Sequence, residues 1–190
     1  MTASDIVSVE RHFKGEVLMP TQSETEIAPI LKAARDLYEI VKGDVIAAAE
    51  VMPESGYSLK VDPNVRSFGQ QVAHIADANY LFASSCLGEA NPFPGVTPLE
   101  PGILERSKGT KRDILTALKL SFAYCDGAFN SASDTTLAET VPFRVTGETV
   151  PKAFLLNLAF LHTAEHYGAM TLYLRSQGIV PPSTERLSRR

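Results

Sequence analysis

Leu158-Ala159-Phe160-Leu161-His162-Thr163-Ala164-Glu165-His166-Tyr167-Gly168-Ala169-Met170 carries two histidines four residues apart in a run of helical periodicity. Side chains at i and i+4 of a helix stand one turn apart on the same face, roughly 5–6 Å between Cβ atoms. Two imidazoles placed this way can converge on one ion, with metal–nitrogen distances of about 2.0–2.1 Å for zinc. Leu155, Ala159, His162, His166, Ala169 or Met170, and Tyr173 fall along one stripe, so the histidines belong to a core-facing surface. Phe154, Leu158, Phe160 and Leu161 enrich the opposite side. That predicts either a central helix or one that packs against a second copy of the chain.

Outward from this run, the helix begins near Thr149, with Pro151 early, and reaches about Gln177 before Gly178 and Pro181-Pro182 stop it. Upstream, Thr110-Lys111-Arg112-Asp113 is a capping-box pattern in front of Ile114, Leu115, Leu118, Ser121, Phe122, Cys125 and Phe129. A further helix covers Ser67 to Leu87, with Phe68, Val72, Ile75, Asn79, Phe82 and Cys86 as its inner stripe and Gly88 as its stop. The first spans Thr25 to Met52, with Ser23 or Thr25 as its cap, and carries Leu31, Ala34, Tyr38, Val41, Val45 and Ala48 at three-four spacing. The fold expected is all-α: a four-helix bundle with long irregular connections after helices 2 and 3. The first of these, Glu89 to Gly109, holds four prolines, and an ordered connection of that length usually forms a lid or wall. The second, Ser131 to Gly147, has room for a short turn of helix and only weak strand-like hints around Thr140 to Thr146. The expected organisation is an N-terminal arm over 1–22, a bundle domain over 23–183 and a solvated basic tail over 184–190.

Composition narrows the function classes. The 190 residues carry a net charge of −4, against the basic face that nucleic-acid binding requires. No apolar run reaches the roughly 18 residues of a membrane span, and the first residues lack the pattern of a secretory signal. Cytoplasmic residence is the expectation. Cys86 and Cys125 lack CxxC spacing and read as buried apolar residues.

His74, 88 residues before His162, lies at the edge of its helix's apolar stripe, with Gln70 and Gln71 one turn before it and Asp77 one turn after. It is the third candidate ligand if the two helices are neighbours. Asp77 or Glu165 would then accept the second N–H of a ligating imidazole. Thr163, not Glu, follows His162, which removes the zincin-protease reading. The competing reading of all three histidines is ordinary core packing with backbone hydrogen bonds. Asp77, Glu165, Tyr38 and Tyr80 are supporting groups at most, and no residue earns a catalytic assignment.

Two segments carry a family resemblance. Ser67-Phe68-Gly69-Gln70-Gln71-Val72-Ala73-His74-Ile75-Ala76-Asp77-Ala78 resembles the second-helix signature of the DinB/YfiT-like four-helix metalloproteins. The run from Leu158 to Met170, followed by Leu174-Arg175-Ser176-Gln177-Gly178-Ile179-Val180-Pro181-Pro182, resembles their last core helix and its exit. The resemblance spans roughly residues 25 to 183. It implies a divalent metal, zinc or nickel first and iron or manganese second, held by His74, His162 and His166 with solvent completing the shell. It also implies a small-molecule substrate and, from relatives that are thiol-dependent transferases and isomerases, a low-molecular-weight thiol cosubstrate; the apolar faces of the last helix add the expectation of a homodimer. Metal-dependent hydrolysis is the second enzymatic expectation; a non-enzymatic, stress-associated metal-binding dimer is the alternative. This chain departs from the family in two places. It has no Trp before the first histidine, where Phe68 or Arg66 takes the space, and Tyr167-Gly168-Ala169-Met170 follows the last. His12 has no counterpart and reads as a surface residue.

Overall fold

The computed structural model describes residues 29–93, 101–107 and 109–188. The expected arm over 1–22, His12, the helix start near Thr25 and Pro94 and Pro98 of the first connection lie outside the described residues.

Each helix begins and ends where its local chemistry dictates. α1 (Pro29–Val51) buries Tyr38, Val45, Ala48 and Ala49 at helical spacing, and a 3-10 turn at Glu54–Ser58 follows. α2 (Phe68–Leu87) starts at a reciprocal cap in which the Ser67 hydroxyl accepts from the Gln70 N–H and the Gln70 side chain accepts from the Ser67 N–H. It ends at Gly88, whose φ of 73° is the left-handed conformation that glycine tolerates best. A four-residue turn of helix, α3 (Ile103–Arg106), precedes α4 (Lys111–Ser131), which opens with the expected Thr110–Asp113 capping box. α5 (Asp134–Ala138) leads into a two-stranded hairpin, β1 (Thr140–Pro142) and β2 (Thr149–Pro151). α6 (Lys152–Ser176) carries the paired histidines, and α7 (Pro182–Ser188) closes the described chain.

The four long helices form a ring in which α1 neighbours α4 and α6, while α2 also neighbours α4 and α6. Successive helices α1 and α2 therefore face each other across a diagonal, as do α4 and α6. A plain up-down-up-down bundle sets each helix beside its successor with short loops. Here the segments 52–67 and 132–151 each cross the bundle end, which is why both are long.

Three details differ from the sequence reading. The helix enclosed on all sides is α2, not α6: every residue from Ser67 to Cys86 except Gln70 is buried. Small side chains at Gly69, Ala73, Ala76, Ala78, Ala83, Ser84 and Ser85 let α4, α6 and α3 approach it from several directions. On α6, by contrast, Phe154, Leu161 and Leu172 remain 46%, 61% and 60% exposed. Second, Thr149 to Pro151 is a strand rather than the first turn of the last helix. It repeats the Thr-Val-Pro of β1, and Val141 pairs with Val150 across the antiparallel ladder, as suits β-branched residues. Third, the C-terminal segment read as a solvated tail begins inside α7. Arg186 Nη2 donates to Asp44 Oδ2 of α1 at 2.6 Å, and the Tyr167 hydroxyl bonds Ser183.

The core runs through Phe68, Val72, Ile75, Leu118, Phe122, Leu155, Met170 and Leu174, all essentially inaccessible to solvent. Cys86 and Cys125 are free and buried. Among the described residues no helix is long and apolar enough to cross a membrane.

Candidate metal centre

Because α2 and α6 are adjacent, His74 meets His162 and His166. His74 Nε2 lies 3.1 Å from His162 Nε2, which lies 3.1 Å from His166 Nε2. One nitrogen from each ring falls within 4.8 Å of the others. Ligand nitrogens about 2.0–2.1 Å from a tetrahedral ion stand roughly 3.3 Å apart, so the spacing suits a shared ion.

The far sides of two rings are held. His74 Nδ1 is 3.1 Å from Glu105 Oε2, and His166 Nδ1 is 2.7 Å from Gln71 Oε1. A carboxylate and an amide oxygen only accept, so both Nδ1 atoms carry the proton and both Nε2 atoms present lone pairs. His162 lies between them. A proton on its Nε2 serves only one of the two 3.1 Å contacts and leaves the other neighbour's lone pair without a donor; with the proton on Nδ1, all three Nε2 lone pairs face one another. A cation among the three satisfies all of them. His162 Nδ1 is buried without a partner among the described residues. The donor set thus fits a divalent ion.

Burial and mutual proximity keep His162 and His166 neutral. Burial, then the neighbouring His166, His74 and Arg66, pushes the His162 imidazole down to about 3. Burial, with His74 and Arg66, pushes His166 down to about 4. Neutral imidazole is the form that ligates a metal.

Glu105 was not singled out in the sequence, yet it is the carboxylate at the centre of the site. It is 4% exposed and accepts from Arg66 Nε at 2.8 Å as well as from His74. Burial alone would raise its carboxyl; the hydrogen bonds from His74 and Arg66 outweigh that and hold it below the usual carboxylate range. Its place is set by Asp77, three residues beyond His74. The Asp77 oxygens accept from the backbone N–H groups of Leu104 and Glu105 at 3.1 and 2.9 Å, capping α3. Gly102 makes this approach possible, since a Cβ there would stand 2.2 Å from Asp77 Oδ2. Asp77 therefore acts on the histidine through Glu105 rather than by touching it. The signal in the sequence is an acid directly after Ile103 and Leu104, following a proline and a glycine.

The histidines open onto a cavity of about 430 Å³. Arg66, Glu165 and the three histidines supply its polar lining, and Leu81, Phe82, Phe143, Val145 and Leu158 are among its apolar walls. Phe82 stands edge-on to His162 with ring centres 5.5 Å apart, and the turn between β1 and β2 delivers Phe143 and Val145. Glu165, the other candidate partner for an imidazole, lies at the exposed rim and makes no hydrogen bond or ion pair among the described residues. Tyr38 and Tyr80 are packed elsewhere: Tyr38 stacks on Phe129 and donates to Asp126, and Tyr80 packs between Phe93 and Tyr124.

The fold and site together define a four-helix protein with three clustered histidines facing a partly apolar cavity. A sequence model of the DinB superfamily matches residues 37–170, and the chain belongs to that superfamily. Among solved structures it is similar to a DinB-like protein of Bacillus cereus ATCC 10987, at 19% identity and a TM-score of 0.62 over 80% of this chain and 95% of that one. A DinB-like protein of Bacillus subtilis, YjoA, aligns at 20% identity and a TM-score of 0.60, over 77% of this chain and 92% of the other. YfiT of Bacillus subtilis is described as a probable metal-dependent hydrolase with an unusual four-helix bundle topology. It aligns at 17% identity and a TM-score of 0.58, covering 85% of this chain and 96% of its own. At such identities the likeness establishes the fold. No curated protein matches the chain.

Proposed function

We propose that this chain is a divalent-metal protein that acts on a small molecule, with His74, His162 and His166 as its ligands. The observation that carries the reading is the pinning of two Nδ1 atoms as donors, which turns two Nε2 lone pairs toward His162. Three neutral imidazoles leave a coordination position open, the arrangement of catalytic rather than closed structural sites. Zinc or nickel is the ion we favour, with iron or manganese also compatible with an all-nitrogen donor set.

Bound there, a divalent ion would supply Lewis acidity and ease deprotonation of a small nucleophile, a thiol or water. Glu105 and Gln71 fix the rings; the apolar walls keep bulk water from part of the cavity. The protein's own thiols are not candidates for the nucleophile, because burial raises both Cys86 and Cys125 and neither lines the cavity. A transferase reaction would therefore draw its thiol from a low-molecular-weight cosubstrate, which is the reaction we favour. Hydrolysis is the second reading, and the description of YfiT supports it. Two free, buried cysteines suit the reducing cytoplasm, where we place the protein. The exposed Phe154, Leu161 and Leu172 share one face of α6 and support a homodimer through it.

Elemental analysis of untagged protein tests the metal, with about one equivalent expected. Less than about 0.2 equivalents after reconstitution would overturn the site. Assays of the loaded protein with several small thiols and an electrophilic acceptor, each with and without thiol, separate transfer from hydrolysis. A light-scattering mass close to the 20.6 kDa of one chain would overturn the dimer.

A further inference from the structure

Among the described residues Arg66 is the one Lys or Arg side chain lining the cavity, and its guanidinium forms a single hydrogen bond there. It precedes the Ser67 cap of α2, and its carbonyl oxygen accepts from the Tyr173 hydroxyl, so its backbone is anchored at the junction of α2 and α6. Its Nε donates to Glu105 at 2.8 Å. Its two terminal Nη groups have no acceptor among the described residues. The side chain is 32% exposed, within reach of solvent and of a ligand in the cavity. A guanidinium fixed by one nitrogen loses little further freedom when the other two bind, and its paired N–H groups match a carboxylate. The same cavity is lined by apolar Phe82, Phe143 and Leu158. The other charged group on the cavity, Glu165, stands at the exposed rim without a contact to Arg66.

We infer that Arg66 is a specificity residue that receives the carboxylate of a small amphipathic substrate, whose apolar part lies against Phe82, Phe143 and Leu158. This inference rests on the reading of the cavity as a substrate site beside a metal. It assigns that site a substrate class: small organic acids with an aromatic or branched apolar body. A ligand held there would share the cavity with the three histidines, its carboxylate bound by the protein's own side chain.

The probes are 3-phenylpropanoate and its neutral isostere 3-phenylpropanamide, titrated calorimetrically into metal-free and zinc-loaded protein. The acid is expected to bind roughly ten- to a hundredfold more tightly than the amide, the range for hydrogen bonds to charged groups. Arg66→Gln is expected to abolish that preference and Arg66→Lys to keep part of it. Zinc content is measured for every sample, because Arg66 also contacts Glu105. A preference present in metal-free protein and lost in Arg66→Gln supports the inference even if zinc fails to bind, which would overturn only the metal. Equal affinities for acid and amide in the wild-type protein would overturn it. So would a preference that survives Arg66→Gln, or one seen only with zinc and unchanged by the substitution, which would place the carboxylate on the ion.

Discussion

Replacing Glu105 with glutamine tests whether the connection between α2 and α4 sets the metal centre. The carboxylate accepts from two donors, His74 Nδ1 at 3.1 Å and Arg66 Nε at 2.8 Å. Glutamine keeps the volume but has a single accepting oxygen. Its NH2 group must face one of these donors, which turns one attractive contact repulsive and frees the other ring or guanidinium to rotate. Loss of such an outer partner typically weakens metal binding about 10- to 100-fold, and nearly all of this reaches the ion through one ligand, His74. The assay is a competition titration of zinc between the protein and a chromophoric chelator at fixed pH. Glu105→Gln is expected to raise the Kd by about tenfold and Glu105→Ala by about a hundredfold, with helical content unchanged by circular dichroism. Asp77 still caps α3 in both variants, so the backbone at 103–106 stays in place. Zinc affinity unchanged in both variants would refute the reasoning, because it would mean that His74 is oriented by packing alone.

Gly102→Ala is expected to destabilise the protein by about 1–3 kcal/mol, since its Cβ would stand 2.2 Å from Asp77 Oδ2; urea denaturation measures it, together with a smaller loss of zinc affinity as α3 shifts. His162→Ala is expected to remove stoichiometric zinc while leaving the helical spectrum intact, and retention of one tight equivalent would contradict its role as a ligand. Acid should destabilise the metal-free protein in a defined window. His162 and His166 are held at about 3 and 4 against 6.5 when unfolded, so below pH 6.5 the unfolded chain takes up protons that the folded one refuses. Stability is then flat above pH 6.5 and falls below it by about 1.4 kcal/mol per pH unit for each histidine; equal denaturation midpoints at pH 7.5 and 5.5 would contradict this. Phe68→Ala, at a side chain with no exposed surface, is expected to cost about 3–5 kcal/mol and to lower Tm accordingly.

The helices were legible because each is written in short-range chemistry. The Ser67 and Thr110 caps, the Gly88 and Gly178 stops and the three-four spacing of apolar residues all act within a few positions. Ring order is different. Whether α1 lies beside α2 or across from it depends on which faces are wide enough to meet two neighbours. The run of small residues from Gly69 to Ser85 decides that, because it lets three elements close on α2 at once. Sequence periodicity marked the larger apolar residues of that helix as one stripe and so understated its burial. On α6 it offered two outcomes, a central helix or one facing a second copy, and the described residues exclude the first: Phe154, which meets Phe143 edge-on, Leu161 and Leu172 stay largely exposed. An apolar side chain records the capacity for burial; only the tertiary arrangement records whether a surface is there to receive it.

The same distinction separates the two tiers of the site. His162 and His166 share a helix face, so their proximity follows from the pitch of α6. His74 needed only the adjacency of α2 and α6. Gln71, which fixes His166, lies on α2 itself, whereas Glu105 and the apolar wall come from connections and depend on backbone rather than on pattern. Glu105 reaches His74 because Asp77 captures the amides of Leu104 and Glu105, and that capture requires a glycine at 102. Phe143 and Val145 reach the cavity because two Thr-Val-Pro strands pair and turn between them. The diagonal topology makes this placement possible. Both ends of the bundle contribute, because Arg66 lies beside Tyr173 where α6 ends and the hairpin lies where α6 begins. The segment ahead of α2 supplies Arg66, the segment after it supplies Glu105, and the crossing from α4 to α6 supplies the apolar wall. Replacing that last crossing, 132–151, by a short flexible linker would be expected to strip the wall while leaving the three histidines on their helices. Zinc binding should then survive the loss of affinity for apolar ligands, and simultaneous loss of both would show that the hairpin also holds α6 against α2.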